Sequence, residues 1–471
     1  MWNLKNQWKK KFICFVLIFV FCFSQNIITS KAGSVQINDC VIVDGFTPPD
    51  HETIVHHQNN SSSPYTKIAN AVTELWVGEH HRFTVVENRR KNVKIRWSSS
   101  NPEIASIDKI TGELTAHSAG TVTITMQDSV NKTKHKCEII VRQMPVLPEM
   151  PKEWYTVEDI INEYTEEKLG IGIVLKKKYM YLYEQCSMLK IPEEVEGEHV
   201  VRIRLEDDYG TFDISHLGLN KLEWMQCSQE VAYQLRSSKK VRILCPDGLE
   251  WLTFCTNGMP IPESVHLIWS EYSLESIQDT IRIPASVKLI FNDGMYHDVC
   301  GVYRGDNVQF AVDGNNTNYY SIFGVLFTYP YYELGQEDRY RVSVVQGLGM
   351  EANKNILLVY PAEKTGSVYR VPDGIERIGA RAFDDVKYLK KIILPDSVKE
   401  IGDYAFCDIK HNIEIVIPAS VTLNQYHKPF HNYYDFLDSD EEGFVYITII
   451  TPKGSDAEAY AIEHGIAYRN E

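Results

Sequence analysis

IERIGARAFDDVKYLKKIILPDSVKEIGDYAFCDIKHNIEIVIPASV, residues 375–421, decides the architecture. IGARAF at 378–383 recurs as IGDYAF at 401–406, and IILPDSV at 392–398 recurs as IVIPASV at 415–421. Pro372, Pro395 and Pro418 stand 23 residues apart. A period of this length marks a stack of short structural units, a solenoid, because one such unit cannot bury its own apolar face. Within a unit, Ile392 and Leu394 fall on one side of a short strand and Ile393 on the other. Pro395 stops the ladder, and Ala382 with Phe383 pairs a small and a bulky side chain in the return arm.

Working outward, IRIPASV at 281–287 and IPESV at 261–265 keep the same pattern, while LKIP at 189–192 and CPDGL at 245–249 echo it weakly. The copies resemble leucine-rich repeats of the BspA type, through Ile378–Phe383 with Leu389–Val398. The second copy has Asn412 where that family has Leu. FAVDGNNTNYYSIFGVLF (310–327) and LLVYPAEKTGSVYRVPDG (357–374) are similar to the family's long repeat, and residues 328–356 between them form a Tyr-rich insertion. ITIITPKGSDAEAYAIEHGIAY (447–468) is similar to its last unit: Ser455 and Glu458 make a capping box, and Gly465 suits the C-cap. The resemblance implies an α/β leucine-rich-repeat solenoid over 181–471, in proteins displayed on the surface of host-associated cells.

Residues 70–142 read differently. Val93, Ile95 and Trp97 alternate, as do Val122, Ile124 and Met126, and Cys137, Ile139 and Val141; polar turns separate the runs. Short alternating strands predict an all-β two-sheet sandwich with Trp97 in its core. WSSSNPEIASID (97–108), TGELTA (111–116) and SAGTVTIT (118–125) resemble the bacterial immunoglobulin-like domain of group 2, which implies a spacer without catalytic residues. The expected fold is therefore multidomain, an immunoglobulin-like sandwich followed by the repeats.

The amino terminus has the grammar of export. Lys5, Lys9, Lys10 and Lys11 precede the apolar run Phe12–Phe23, and Ser30-Lys31-Ala32 offers a cleavage site. Residues 1–32 are read as a secretory signal; an uncleaved anchor is the alternative and the one route to a membrane. Residues 33–69, with Pro48-Pro49 and Ser61-Ser62-Ser63-Pro64, have linker composition; His51, His56 and His57 there are read as solvated. In the junction 143–180, Thr156 and Asp159 start, and Gly170 closes, an expected helix over Val157, Ile160, Ile161 and Tyr164. Lys176-Lys177-Lys178 is read as a solvated basic run.

The chain has 471 residues, 48 Lys+Arg and 63 Asp+Glu, a formal charge of -15. Loss of residues 1–32 removes five lysines and no acid, giving -20. This balance argues against nucleic acid as a partner. Of ten cysteines, Cys14 and Cys22 fall in the signal, and the remaining eight are too few for a disulfide-built scaffold; buried thiols are the expectation, with a Cys245–Cys255 bridge as the alternative. No phosphate loop, HExxH or GxSxG is present. Glu206-Asp207-Asp208 and the acids of 438–442 are read as solvated loops, and the His297-Asp298-Cys300 group is too crowded for a working triad.

The chain is thus read as a non-enzyme without cofactor or metal. Its expected partner is a protein or glycan of a host or neighbouring cell, or the cell wall, met outside the cell or at the bacterial surface. Tyr supplies rigid amphipathic contact area, so Tyr319, Tyr320, Tyr329, Tyr331, Tyr332 and Tyr340 are the candidate ligand contacts, with Tyr426, Tyr433 and Tyr434 second. A structural envelope component, or a hydrolase with its site in 143–260, are the rival readings.

Overall fold

The computed structural model describes residues 55–57, 66–87, 94–129, 132, 134–162, 165–207, 221–234, 241–245, 248–252, 258–269, 280–291, 308–329, 355–423, 428–430 and 446–471. The chain is multidomain and rich in strands. Among the described residues the α-helices are Met180–Tyr183, Gln229–Gln234 and Asp456–Glu463, and no helix is long and apolar enough to cross a membrane.

The sandwich places Glu74–Trp76, Lys134–Arg142, Gly120–Asp128 and Ile95–Ser99 in one sheet, and His80–Arg82, Glu113–Ala116 and Ala105–Ile107 in a second. Alternation along Gly120–Asp128 buries Val122, Ile124 and Met126. These share a core with Leu114 and Trp97, and Phe83 stacks on Trp97 at 5.1 Å. Asp108 explains its motif: its carboxylate accepts the amides of Ile110 and Thr111. Gly112 follows at φ +75°, where a Cβ would lie 2.8 Å from the Trp97 ring, so both conformation and space require glycine. Linker composition ends earlier than the sequence suggests. Val55–His57 and Lys67–Ile68 both pair with Val85–Glu87, since β-branched residues there complete an edge that would otherwise stay unpaired.

The junction departs from expectation. Tyr155–Ile161 is a strand, antiparallel to Lys168–Leu175, which runs parallel to Glu198–Leu205. No helix forms over 156–161 because the apolar residues are β-branched and the antiparallel partner Lys168–Leu175, rich in Ile and Val, lies alongside. Glu158 and Arg204 meet in a two-pronged ion pair across these strands.

From Met188 onward, short parallel strands stack. Met188–Lys190, Trp224–Gln226 and Arg242–Leu244 form one ladder; Trp251–Leu252, Leu267–Trp269 and Leu289–Phe291 a second; Thr280–Ile283 and Gln309–Val312 a third. The longest joins Val368–Arg370, Lys391–Ile393, Ile413–Val416, Ile447–Thr451 and Ala467–Asn470, all parallel. Arg377–Ile378 and Glu400–Ile401 make a second row on the return side. Ile392, Leu394, Ile415 and Ile417 are buried. Phe383, Phe406 and Phe430 stack in register at 5.4 and 5.5 Å, and Tyr460 and His464 of the last helix continue the column. Ser455 caps that helix through the Glu458 amide, and the Glu458 carboxylate returns to the amide of Gly454, one residue earlier than in a standard box.

The α part of the expected α/β repeat is corrected. The return arms carrying Phe383 and Phe406 are turns, with Arg381, Asp385, Tyr404 and Asp408 at positive φ. Left-handed residues interrupt a helix, and arms this short cannot repay helix nucleation.

Candidate functional site

The sandwich is docked on the outward face of the earlier ladders and is no free spacer. Trp76 meets Trp224 edge-on at 5.7 Å. Glu79 pairs with Arg282 at 3.4 Å. Asn70 donates to the carbonyls of Arg82 and Val312, at 2.9 and 2.7 Å, and accepts the Thr84 amide. The Asp313 carboxylate accepts the Arg82 amide at 2.6 Å, and the Arg82 guanidinium reaches Asn315. Ala311 packs into the sandwich core, while Ala69 and Val86 join the repeat core beside Tyr320 and Tyr360. The Phe323 amide donates to the Ala69 carbonyl. Burial dominates the electrostatics of this seam. It lifts the Asp313 carboxyl to about 6 and lowers His81 to about 4; it also raises Glu79 against the opposing pull of Arg282.

Among the described residues, the corresponding face of the later ladder, from Val368, is uncovered. Val368 is 54% exposed and Arg370 is exposed. Strand alternation turns Lys391 and Ile393 outward around buried Ile392, and Glu414 and Val416 outward around buried Ile415. Ile393 and Val416 occupy the repeat position of Arg282, so the residue that holds Glu79 in the covered part is replaced by a half-buried aliphatic pair. Lys391 meets Glu414 at 3.2 Å, and Arg469 reaches back across the intervening strand to Glu414 at 3.0 Å. Those hydrogen bonds, Lys391 first, hold the Glu414 carboxyl below its usual range. Exposed Lys390 and Lys410 lie beside the strip. The result is a narrow apolar strip with a basic margin.

Three of the six candidate tyrosines are corrected. Tyr319 and Tyr320 lie on the hairpin strand Tyr319–Ile322, and Tyr329 directly follows its partner Val325–Thr328; all three are buried. Tyr319 donates no contact to solvent: its hydroxyl accepts the Ile290 amide. Tyr320 stacks on Phe327 and tilts against Tyr329, and burial raises all three phenols. Tyr331, Tyr332 and Tyr340 lie outside the described residues, as do Tyr426, Tyr433, Tyr434, His297, Asp298, Cys300 and the acids of 438–442.

The other candidates resolve locally. Lys176 donates to the Glu153 carbonyl, Lys177 pairs with Asp207, and Lys178 lies over the Tyr179 ring. Cys245 is a free thiol, with Cys255 outside the described residues. Asp384, Cys407 and Asp408 bring three ligand-type atoms within 4.8 Å. Arg381 already holds Asp384 at 3.0 Å, and burial pushes the Cys407 thiol up, away from the thiolate a metal needs. The cluster fits a thiol hydrogen-bonded to Asp384 at 3.2 Å.

The missed feature is the outward strip. Its signal is the intersection of two periods, 2 along the strand and 23 along the chain, which singles out 391, 393, 414 and 416. The docking residues Asn70, Glu79, Arg82 and Asp313 carry no comparable pattern.

Comparison with known proteins agrees with the geometry. Residues 66–139 match the family described as bacterial Ig-like domain (group 2). Residues 366–434 match the family described as BspA type Leucine rich repeat region (6 copies). No curated protein matches the chain. Among solved structures it is similar to a leucine-rich repeat protein from Eubacterium ventriosum, at 20% identity and TM-score 0.32, covering 54% of this chain and 62% of that one. The pneumococcal vaccine antigen PcpA is 14% identical, with TM-score 0.29 and 60% and 78% covered. A leucine rich cell surface protein from Faecalibacterium prausnitzii is also 14% identical, with TM-score 0.29 and 72% and 95% covered. The chain carries a group 2 bacterial immunoglobulin-like domain followed by a BspA-type leucine-rich repeat region.

Proposed function

We propose that the chain is an exported binding protein, displayed on the bacterial surface or released. Its repeats act as a solenoid scaffold that offers a sheet face to a protein or glycan of another cell, or to cell-wall material. One observation carries this reading: among the described residues, the sandwich covers the outward face from Trp224 to Asn315, while the corresponding face of the later ladder is left open from Val368 onward, with half-buried Ile393 and Val416 rimmed by Arg370, Lys390 and Lys391. An apolar strip with a charged margin is the composition of a recognition patch. Tyr331, Tyr332 and Tyr340 supply a second contact in this reading, from the insertion that follows the buried hairpin.

The test is capture of mucin, matrix protein and cell-wall material by the intact chain, against Val416→Arg and against Tyr331→Ala with Tyr332→Ala. Arginine is tolerated at this repeat position, as Arg282 shows, so V416R alters the face and keeps the fold. Capture should fall about tenfold, near 1.4 kcal/mol, in V416R. Loss only in the tyrosine pair moves the contact to the insertion. Wild-type capture by both variants, or none by the native chain, would favour a structural envelope component instead.

A further inference from the structure

The basic residues of the return arms keep the repeat period. Lys364, Lys387 and Lys410 stand 23 residues apart, one in each of three successive coils. Contacts on either side hold these arms together. Tyr360 stacks on Phe383 at 5.4 Å, and the Lys387 amide donates to the Ala362 carbonyl at 2.9 Å. One coil on, the Asp385 amide donates to the Cys407 carbonyl at 3.1 Å, and His411 Nε2 lies 2.6 Å from the Leu389 carbonyl. The three lysines therefore form a column along the stack, at a coil spacing of about 5 Å. Like charges placed side by side on neighbouring strands oppose stability, so the fold itself gains nothing from the column. We propose that Lys364, Lys387 and Lys410, with the exposed rings of Phe323 and Tyr388, are a binding track for a linear anionic glycan lying along the stack.

Two of the lysines hold unused capacity. Lys364 is half-buried, and its ammonium, which carries three donors, makes one hydrogen bond among the described residues, to the Phe323 carbonyl at 2.5 Å. Burial pushes this ammonium below its usual range, and an anion alongside would offset that cost. Exposed Lys410 makes no hydrogen bond or ion pair among the described residues. Asp408, two residues before it, has its carboxyl raised by burial and by Asp384. Lys387 is exposed and held by Asp385, so it is the member that must exchange a partner. Tyr388, the next residue, is 51% exposed; Phe323 is 37% exposed and sits at φ +50°. That conformation is uncommon and costly for a bulky side chain, and here it joins an exposed ring to the carbonyl that fixes Lys364.

The combination selects the ligand class. A sugar ring offers an apolar C–H face to an aromatic ring and its ionised substituents to ammonium groups. The coil spacing is close to the length of a sugar unit, so a linear polymer meets a lysine at each step. A folded protein partner calls for an apolar centre, which the lysine column does not supply, and a nucleic acid is disfavoured by the charge of -15. The track lies on the arms that lead into the strip and does not depend on it.

Titration calorimetry of the intact chain with heparin, hyaluronan, neutral dextran and single-stranded DNA, over a salt series, tests the track. Binding of heparin, through sulfate, or of hyaluronan, through carboxylate alone, supports it; dextran should not bind. Affinity for the glycan should fall about tenfold in Lys387→Gln with Lys410→Gln, and the slope of log affinity against log salt should shrink by about two. Tyr388→Ala should weaken binding about threefold with the slope unchanged. The charge-matched control Lys109→Gln with Lys136→Gln, at exposed positions of the sandwich, should bind like the native chain. Melting temperatures should stay at the native value, since every substituted side chain is exposed. No binding of either glycan, an equal loss in the control pair, or DNA bound as tightly as the glycan would each overturn the proposal. Capture by V416R concerns the strip alone, so either idea can fail without the other.

Discussion

At the scale of single residues, the seam between sandwich and repeats turns on two buried titratable side chains that oppose each other. Asp313 is raised by burial from 3.8 to about 6, so the folded state binds its proton more tightly. That contribution is complete below about pH 4 and is lost as pH rises through 6. His81 is lowered by burial from 6.5 to about 4, so its contribution is present above 6.5 and lost as pH falls through 4. Glu79, Glu113, Glu263, Arg82 and Arg282 face the same pocket. His81 Nδ1 lies 3.9 Å from Asp313 Oδ2, so the two titrate as a pair, and their trends oppose each other between pH 4 and 6.5. Asp313→Asn keeps the shape and removes one arm. Between pH 6.5 and 4 the variant should lose about 3 kcal/mol more than the native chain, at ~1.4 kcal/mol per pKa unit, in denaturant titrations at each pH. Parallel pH profiles would refute the assignment. None of this was legible in the sequence, where Asp313 is one acid among 63. The same blindness misplaced the tyrosines: Tyr319, Tyr320 and Tyr329 announce contact area, but composition does not say whether the contact is a ligand or the hairpin's own core.

At the scale of elements, the repeat was legible because its period is physical. Each PxxV turn closes through a backbone bond, Val398 to Pro395 and Val421 to Pro418, and each turn serine donates to the preceding coil. Ser397 reaches the Ile375 carbonyl at 2.8 Å, Ser420 reaches Val398 at 2.8 Å, and Ser286 reaches Val265 at 2.7 Å. Ser397 also accepts the Gly374 amide. Ser397→Ala should therefore cost about 1 kcal/mol, read as a lower denaturant midpoint at unchanged slope; an unshifted midpoint would mean that water replaces both bonds. The serine is visible in IPASV, IPESV and LPDSV, yet its role emerges only when coils lie one above another. The strand Tyr155–Ile161 failed the other way. Val157, Ile160 and Ile161 satisfy helical spacing and β propensity alike, and the antiparallel partner Lys168–Leu175 that decides between them is itself held by Glu198–Leu205, beyond local reading.

For the whole molecule, the sandwich and the repeats were each legible as domains, and their union was not. Family resemblance suggests a spacer, whereas Asn70 joins both bodies: one side chain serves Arg82, Thr84 and Val312. Calorimetry of the intact chain should show the sandwich melting together with the repeats. Asn70→Ala, which removes three buried hydrogen bonds and leaves the Arg82 carbonyl with the Gly314 amide alone, should cost about 3 kcal/mol and split that transition in two. Two transitions already present in the native chain would mean that the bodies melt independently.

Asn70 and Val312 are 242 positions apart, and Arg82 and Asp313 are 231 apart. The sandwich therefore leaves the ribosome long before the strand that completes it. At 5–20 residues per second the wait is on the order of 10–50 s. Throughout it, the place that Ala311 will take in the sandwich core stands open, and the amide of Arg82 lacks the Asp313 carboxylate. The newborn domain must survive that interval unfinished, which makes the order of synthesis, as much as the finished contacts, a condition of its folding.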